Sequence, residues 1–311
     1  MNTKAAKILM ILVILTRASA YVFSKIALQE LSPFLILGYR FTIACLLLMA
    51  VFAKRLYGQL KLDHTILWKS LVLGISLFIT MIFEMYSLET ADVHMAALME
   101  NTAIIQVPLL LALYQKKLPS KKIAMGGALI ILGVFGLTYS PKSGLHFSVG
   151  EMYALGAAFF YALYIIATGV IVKNTDGFSV GVLQMGVLGI LSFGASAVFE
   201  GGSLALPQQS STYLALAVLI LMCSCFGFTF QPVAQKYVSA EDTAMLCSLN
   251  PLFSVFLGAV IFHETLGTLG LFGAFCILGG IFYVNKPTKK VSIFPAHTKG
   301  QSTVMKVCSQ R

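Results

Sequence analysis

The sequence predicts an all-α integral membrane protein of ten transmembrane helices, arranged as two inverted five-helix repeats. Three observations predict it. The chain is 58% hydrophobic and only 11% charged, where soluble domains carry about 25% charged residues. Its apolar runs have the length of about 20 residues that a helix needs to cross hydrocarbon. A sequence similarity also returns five spans later, and an odd number of spans per copy turns the second copy upside down.

The spans are expected at 8–28, 33–53, 67–88, 93–114, 121–138, 150–172, 178–200, 212–232, 242–262 and 267–285. Inside a bilayer the backbone must satisfy its own hydrogen bonds, so these runs are helices. The shorter alternating segments of a membrane barrel do not occur. Basic residues sort the loops. Lys4, Lys7, Lys54, Arg55, Lys61, Lys69, Lys116, Lys117, Lys121, Lys122, Lys173, Lys236 and the tail lysines all fall on one side, and Lys142 alone on the other. By the positive-inside rule both termini are cytoplasmic. The formal charge of +10 is therefore a topological signal and not a nucleic-acid footprint. The organisation that follows is a cytoplasmic N-terminus (1–7), a first repeat (8–140), a second repeat (150–286) and a basic cytoplasmic tail (287–311) expected to be disordered. The rival for the first span is a cleaved signal peptide, suggested by Lys4, Lys7 and Ala18-Ser-Ala20. Apolar sequence resumes directly after Tyr21, and cleavage would spoil the repeat.

Taken in order, the first span puts Arg17, Tyr21 and Lys25 at i, i+4 and i+8, on one face within roughly 80°. Lys25 is near the outer end, where a lysine can snorkel. Arg17 is too deep for that and points to the bundle interior. Ser32-Pro33 opens the second span, since proline suits the first turn, and Arg40 follows seven residues in, about 10 Å deep. Glu84 ends the third span near the outer face. The fourth span carries His94, Glu100 and Asn101, with His94, Asn101 and Pro108 sharing a face. An ionisable group in a span is costly and marks function by default. The bland alternative is a structural ion pair between Glu84 or Glu100 and Arg40 or Arg17.

In the fifth and tenth spans Gly127-Ala-Leu-Ile-Ile-Leu-Gly133 matches Gly273-Ala-Phe-Cys-Ile-Leu-Gly279, and Ala91 through Asn101 lies on Ala240 through Asn250. The second half supplies neutral polar groups and rings: Tyr161, Tyr164, Gln184, Gln231 and Asn250. The six cysteines fall in spans or the tail, so no disulfide framework is implied. Cys223-Ser-Cys225 lacks zinc-site spacing, and no metal or cofactor is expected. His263-Glu264 reads as a span boundary and not as a catalytic dyad. No nucleophile–base motif appears, and the chain is not expected to be an enzyme. An integral membrane enzyme using His94 or His263 is the remote alternative.

On Tyr21-Val-Phe-Ser-Lys25-Ile-Ala-Leu, Ser32-Pro33, Tyr39-Arg40-Phe41, Asn250-Pro251-Leu-Phe and His263-Glu264-Thr-Leu leading into Gly273-Ala-Phe-Cys-Ile-Leu-Gly279, the chain resembles the EamA-type ten-helix transporters of the drug/metabolite transporter superfamily over about residues 8–286. The resemblance implies two inverted units, a central cavity and alternating-access movement of small metabolites, typically amino-acid export across the bacterial inner membrane. The family motif does not carry Arg17, Glu84 or Glu100, and these argue for a polar solute.

The expectation is a pocket between the repeats. A zwitterion would set its carboxylate near Arg17 or Arg40 and its ammonium near Glu84 or Glu100. Tyr161, Tyr164, Gln184, Gln231 and Asn250 would line the opposite wall, while protonation of Glu84 or Glu100 couples transport to a proton gradient. Efflux of hydrophobic cations is the second reading. The expected partners are the solute and the lipid bilayer, with a homodimer left open.

Overall fold

The computed structural model describes residues 1–114, 116, 121–140, 144–145, 148–202, 204–247, 249–263 and 267–285. Almost all of them are helical. In chain order the helices are α1 (Thr3–Ala27), α2 (Pro33–Leu62), α3 (Thr65–Thr90), α4 (Val93–Glu100), α5 (Ala103–Tyr114) and α6 (Lys121–Thr138), then α7 (Val149–Ile171), α8 (Gly177–Phe199) and α9 (Ser210–Val218). A π-helix over Leu219–Phe228 joins α9 to α10 (Thr229–Gln235). α11 (Ala240–Leu246), α12 (Leu249–Phe262) and α13 (Thr268–Asn285) complete the bundle. A two-residue antiparallel pair sets Tyr139 against Leu145 and Ser140 against Gly144.

Among the described residues seven helices are long and apolar enough to cross a membrane, and 124–136 and 268–280 are shorter apolar helices. Their starts follow from local chemistry. Asn2 accepts from the Ala5 N–H at 2.8 Å and caps α1. Ser148 and Glu151 form a reciprocal capping box on α7, satisfying two N–H groups that a helix start leaves orphaned. Asp176 caps α8 through the N–H of Ser179 at 2.9 Å.

Several features differ from plain spans. α2 runs nine residues beyond the expected 53, with a non-helical kink at Phe52 (φ −112°, ψ 21°). The fourth span breaks at Asn101 and Thr102, between α4 and α5. Pro108, the obvious sequence breaker, sits inside α5. The eighth span loosens into the π-helix and then continues through Pro232 to Gln235.

Pro232 has no N–H to return to the Phe228 carbonyl one turn back. That carbonyl instead accepts from Gln184 Nε2 of α8 at 3.2 Å. A side chain from a neighbouring helix thus meets the carbonyl that the proline leaves without its usual N–H.

The packing is helix on helix. α2 lies along α8, α3 along α7 and α8, α6 along α13, and α1 against α12 and the π-helix. Small residues allow the closest approach. A Cβ on Gly133 would stand 2.6 Å from the Gly273 carbonyl oxygen, and one on Gly280 would stand 2.8 Å from that of Gly126. One partner number falls as the other rises, so α6 and α13 run antiparallel.

The expectations on Lys117, Lys142, Glu264 and the 287–311 tail lie outside the described residues.

Candidate functional site

Arg17, Arg40, Glu84 and Glu100 come from α1, α2, α3 and α4, and expose 8, 0, 4 and 3% of their surface. None of these four side chains reaches out into the hydrocarbon. Among the described residues the ion pairs within 4 Å are Lys7–Asp242, Lys25–Asp92, Arg55–Asp176 and Lys69–Asp63. All lie toward helix ends, and none joins two of the four buried groups.

The two arginines are held differently. Arg17 Nη1 donates to the Tyr161 hydroxyl and, at 2.9 Å, to Gln231 Oε1. Its guanidinium carbon lies 4.7 Å from the Tyr161 ring centroid and 4.4 Å from that of Phe228, a sandwich in which both aromatic faces attract the cation. Gln231 Nε2 donates in turn to Tyr161 at 3.3 Å and to Gln235 Oε1 at 3.4 Å. Gln235 Nε2 ends the chain on the Ile165 carbonyl at 3.2 Å. Arg17 is therefore built into the second half of the molecule.

Arg40 donates Nε to Ser224 Oγ at 2.8 Å and lies 4.8 Å from the Phe41 ring and 5.5 Å from Phe228. Its Nη1 and Nη2 have no hydrogen-bond partner. Phe228 stands between the two guanidinium groups, carried there by the last residue of the π-helix.

Glu84 has Arg40 and Arg17 as its charged neighbours. Glu100 faces Glu84 and Arg17, with the Tyr21 hydroxyl as its hydrogen-bonding neighbour. Asn250 Nδ2 reaches the same hydroxyl at 3.4 Å, and its Oδ1 is buried without a partner. Tyr164 stacks on Tyr161 at 6.0 Å and donates to Gln184 Oε1 at 3.2 Å.

Other expected site residues lie elsewhere. Lys25 donates to the Ala91 carbonyl at 2.8 Å and sits 3.7 Å from Asp92, at the α3–α4 turn. His94 is buried at the start of α4. Asn101 turns back on its own helix, donating to the Ala97 carbonyl at 2.7 Å. Sequence reasoning missed Ser224 and Phe228. The only signal is a small polar run, Cys223-Ser-Cys225, in an apolar span.

Polar staples close both ends of the α2–α8 pair. At one end Glu200, just past α8, accepts from Ser32 Oγ at 2.5 Å and from the Phe34 N–H at 3.0 Å. Beside it Glu30 accepts from the N–H groups of Gln208 and Gln209. Hydrogen bonding to the Thr212 hydroxyl, above all, holds the Glu30 carboxyl below the usual range. At the other end Arg55 pairs with Asp176 at 3.1 Å and lies 4.4 Å over the Phe178 ring. There Lys69 and Lys236 donate to Thr175 at 2.5 and 3.0 Å. Burial opposes ionisation of Asp176, but the Ser179 hydroxyl and N–H and the Arg55 cation outweigh it and lower its pKa.

Comparison with known proteins adds a name to this geometry. Residues 4–139 and 148–286 each match the EamA-like transporter family. An uncharacterized transporter of Archaeoglobus fulgidus is 26% identical over 88% of this chain and 83% of its own length. The uncharacterized transporter YetK of Bacillus subtilis is 24% identical over 89% of this chain and 86% of its own. A solved crystal structure superposes with a TM-score of 0.66 at 19% identity, covering 90% of this chain and 97% of that one; the likeness is one of fold alone.

Proposed function

The chain belongs to the EamA-like transporter family, and on that premise we propose that it is a secondary transporter exporting a small polar, amino-acid-like metabolite across the bacterial plasma membrane by alternating access. The observation that carries this reading is the burial of two arginines and two glutamates, from four different helices, in one neighbourhood of a membrane bundle. Charges in that position cost several kcal/mol or more unless solvated or paired. A zwitterionic solute would pair with both signs.

The ten-span, two-repeat organisation belongs to the same proposal, with 8–140 and 150–286 as the units and both termini cytoplasmic. It is supported by the double family match, with its gap at 140–147. It is supported also by the antiparallel contact of α6 with α13, the helices that carry the Gly-Ala…Ile-Leu-Gly similarity. Breaks in the fourth and ninth spans, before Ala103 and before Leu249, fall near the aligned Asn101 and Asn250. The staples agree: the end of α8 grips the start of α2, and the far end of α2 grips the start of α8. Releasing one staple while keeping the other would open the pocket to one side at a time.

Within the pocket, the carboxylate of the solute faces the arginines and its ammonium faces Glu84 and Glu100. Protonation of Glu84 or Glu100 couples the cycle to a proton gradient, because a carboxyl group's proton equilibrium depends on its hydration and on neighbouring charges. The lipophilic-cation reading would use the Tyr161 and Phe228 faces, which Arg17 already occupies. Purified protein in proteoliposomes loaded with the twenty common amino acids tests the proposal. An inward-directed proton gradient should drive efflux of one or a few of them, read by mass spectrometry. Glu100→Gln should abolish the gradient-driven component. Flux that ignores pH in both proteins would eliminate the coupling role, and no efflux of any amino acid would eliminate the substrate class.

A further inference from the structure

We propose that the Nη1/Nη2 edge of Arg40 is the anion subsite of this pocket, taking a carboxylate in a two-pronged hydrogen bond, and that Arg17 is a positioning residue that does not take the anion. The inference rests on the transporter reading above and divides a task that the reading leaves shared between two arginines. Both are cations in adjacent helices, both lie against Phe228, and both have Glu84 as a charged neighbour. Their hydrogen-bond accounts differ.

Arg17 gives one terminal nitrogen to two acceptors, Tyr161 and Gln231, and its planar face is clasped between two rings. Those acceptors are themselves fixed by the Gln235 and Ile165 links. Moving Arg17 toward a solute would break that network. Arg40 is fixed only at its root. Ser224 holds Nε, which orients the guanidinium plane and leaves the opposite edge, Nη1 and Nη2, without an acceptor at zero exposure.

Buried donors without partners are rare, because each forfeits the hydrogen bonds it had in water. For a guanidinium the penalty is larger, since the charge is desolvated too. Such an edge is complementary to two oxygens on one planar or tetrahedral centre. Glu84 is the nearest candidate within the chain, but it makes no ion pair with Arg40 inside 4 Å. Glu84 is therefore a charged neighbour of Arg40 more than 4 Å away, placed to hold the positive end of a solute whose carboxylate sits on Arg40.

Access comes through the π-helix. Leu219–Phe228 provides both the Ser224 oxygen that orients Arg40 and the Phe228 ring that covers it. Wide π turns recur at functional sites, where the backbone is easier to shift than in an α-helix. A shift of this segment takes the Phe228 ring off both guanidinium groups, while Arg17 keeps its hydrogen bonds to Tyr161 and Gln231.

The test uses the full chain in lipid nanodiscs, with acetate as the carboxylate probe and methylammonium as the cation probe, both followed by saturation-transfer NMR. Wild type should bind acetate saturably. Arg40→Lys keeps the charge but loses the fork, and should weaken acetate at least tenfold; Arg17→Lys should change it less than threefold. Glu84→Gln removes the facing negative charge and should strengthen acetate several-fold while weakening methylammonium, which keeps the proposal falsifiable if Arg40→Lys does not fold. Loss of acetate binding in Arg17→Lys with retention in Arg40→Lys overturns the assignment, as does failure of wild type to bind acetate. The two levels separate cleanly. Amino-acid efflux unchanged in Arg40→Lys sinks the subsite and spares the transporter. Arg40-dependent acetate binding without amino-acid efflux spares the subsite and sinks the amino-acid substrate.

Discussion

Gln184→Leu should be among the most damaging single changes in the second half of the chain, and Pro232→Ala should partly rescue it. Gln184 is fully buried, accepts from Tyr164 at 3.2 Å and donates to the Phe228 carbonyl at 3.2 Å. Leucine fills a similar volume, so the loss is polar. It leaves the Tyr164 hydroxyl and a backbone carbonyl without these partners in a dry interior. Each unsatisfied group costs about 1–3 kcal/mol, giving about 2–6 kcal/mol together. The carbonyl half of that cost exists because Pro232 has no N–H one turn ahead. Alanine at 232 restores an N–H at that place, so the double variant should recover about 1–3 kcal/mol relative to the sum of the single changes. Equilibrium unfolding in mixed micelles at increasing SDS fraction, followed by far-ultraviolet circular dichroism, measures all four corners of the cycle. Additive single effects, or a Gln184→Leu loss under about 0.5 kcal/mol, would refute the claim that this side chain stands in for the missing N–H.

Two other outcomes follow from the packing and the loop chemistry. Gly133→Ala should lower stability by about 1–3 kcal/mol in the same unfolding assay, because its Cβ meets the Gly273 carbonyl oxygen and Ile277 Cγ1, each at 2.6 Å; Gly279→Ala, with open space around it, should be silent. The Glu30 staple should respond to acid. Its folded pKa is depressed, chiefly through Thr212, so its contribution is complete above the unfolded value of about 4.3 and is lost as pH falls through the folded value. The thermal midpoint difference between wild type and Glu30→Gln should therefore stay constant from pH 7 to pH 5 and shrink below about pH 4.

Much of the fold was legible because a bilayer leaves few choices. Residues 150–172 and 178–200 are expected as spans, and helices long and apolar enough to cross a membrane occupy Val149–Asn174 and Gly177–Phe199. What failed was the assumption that a span is one uniform helix. The fourth breaks at Asn101 and Thr102 and not at Pro108, because Thr102 and Asn101 spend their side chains on the Met99 and Ala97 carbonyls. Such local hydrogen bonding competes with the helix ladder. A proline removes one donor and crowds the carbonyl one turn back, which a membrane helix can absorb when its neighbours re-satisfy the freed group. The π-helix was invisible for a related reason. The Phe228 carbonyl at its end is met by Gln184, 44 positions away.

The site shows where one-dimensional reading stops. A charged residue inside an apolar run announces itself, so Arg17, Arg40, Glu84 and Glu100 could be named from spacing alone. The runs around them differ, Arg17 lying between Thr16 and Ala18 and Arg40 between Tyr39 and Phe41, but neither run says which guanidinium is left without acceptors. Their difference is supplied by residues 144 and 214 positions from Arg17 and 184 from Arg40. Tyr161 and Gln231 both hold Nη1 of one guanidinium, and a single serine holds only Nε of the other, leaving its Nη1 and Nη2 without an acceptor. Local sequence can say that a charge must be accommodated; only the tertiary arrangement decides whether the protein itself does so or leaves the task to a ligand.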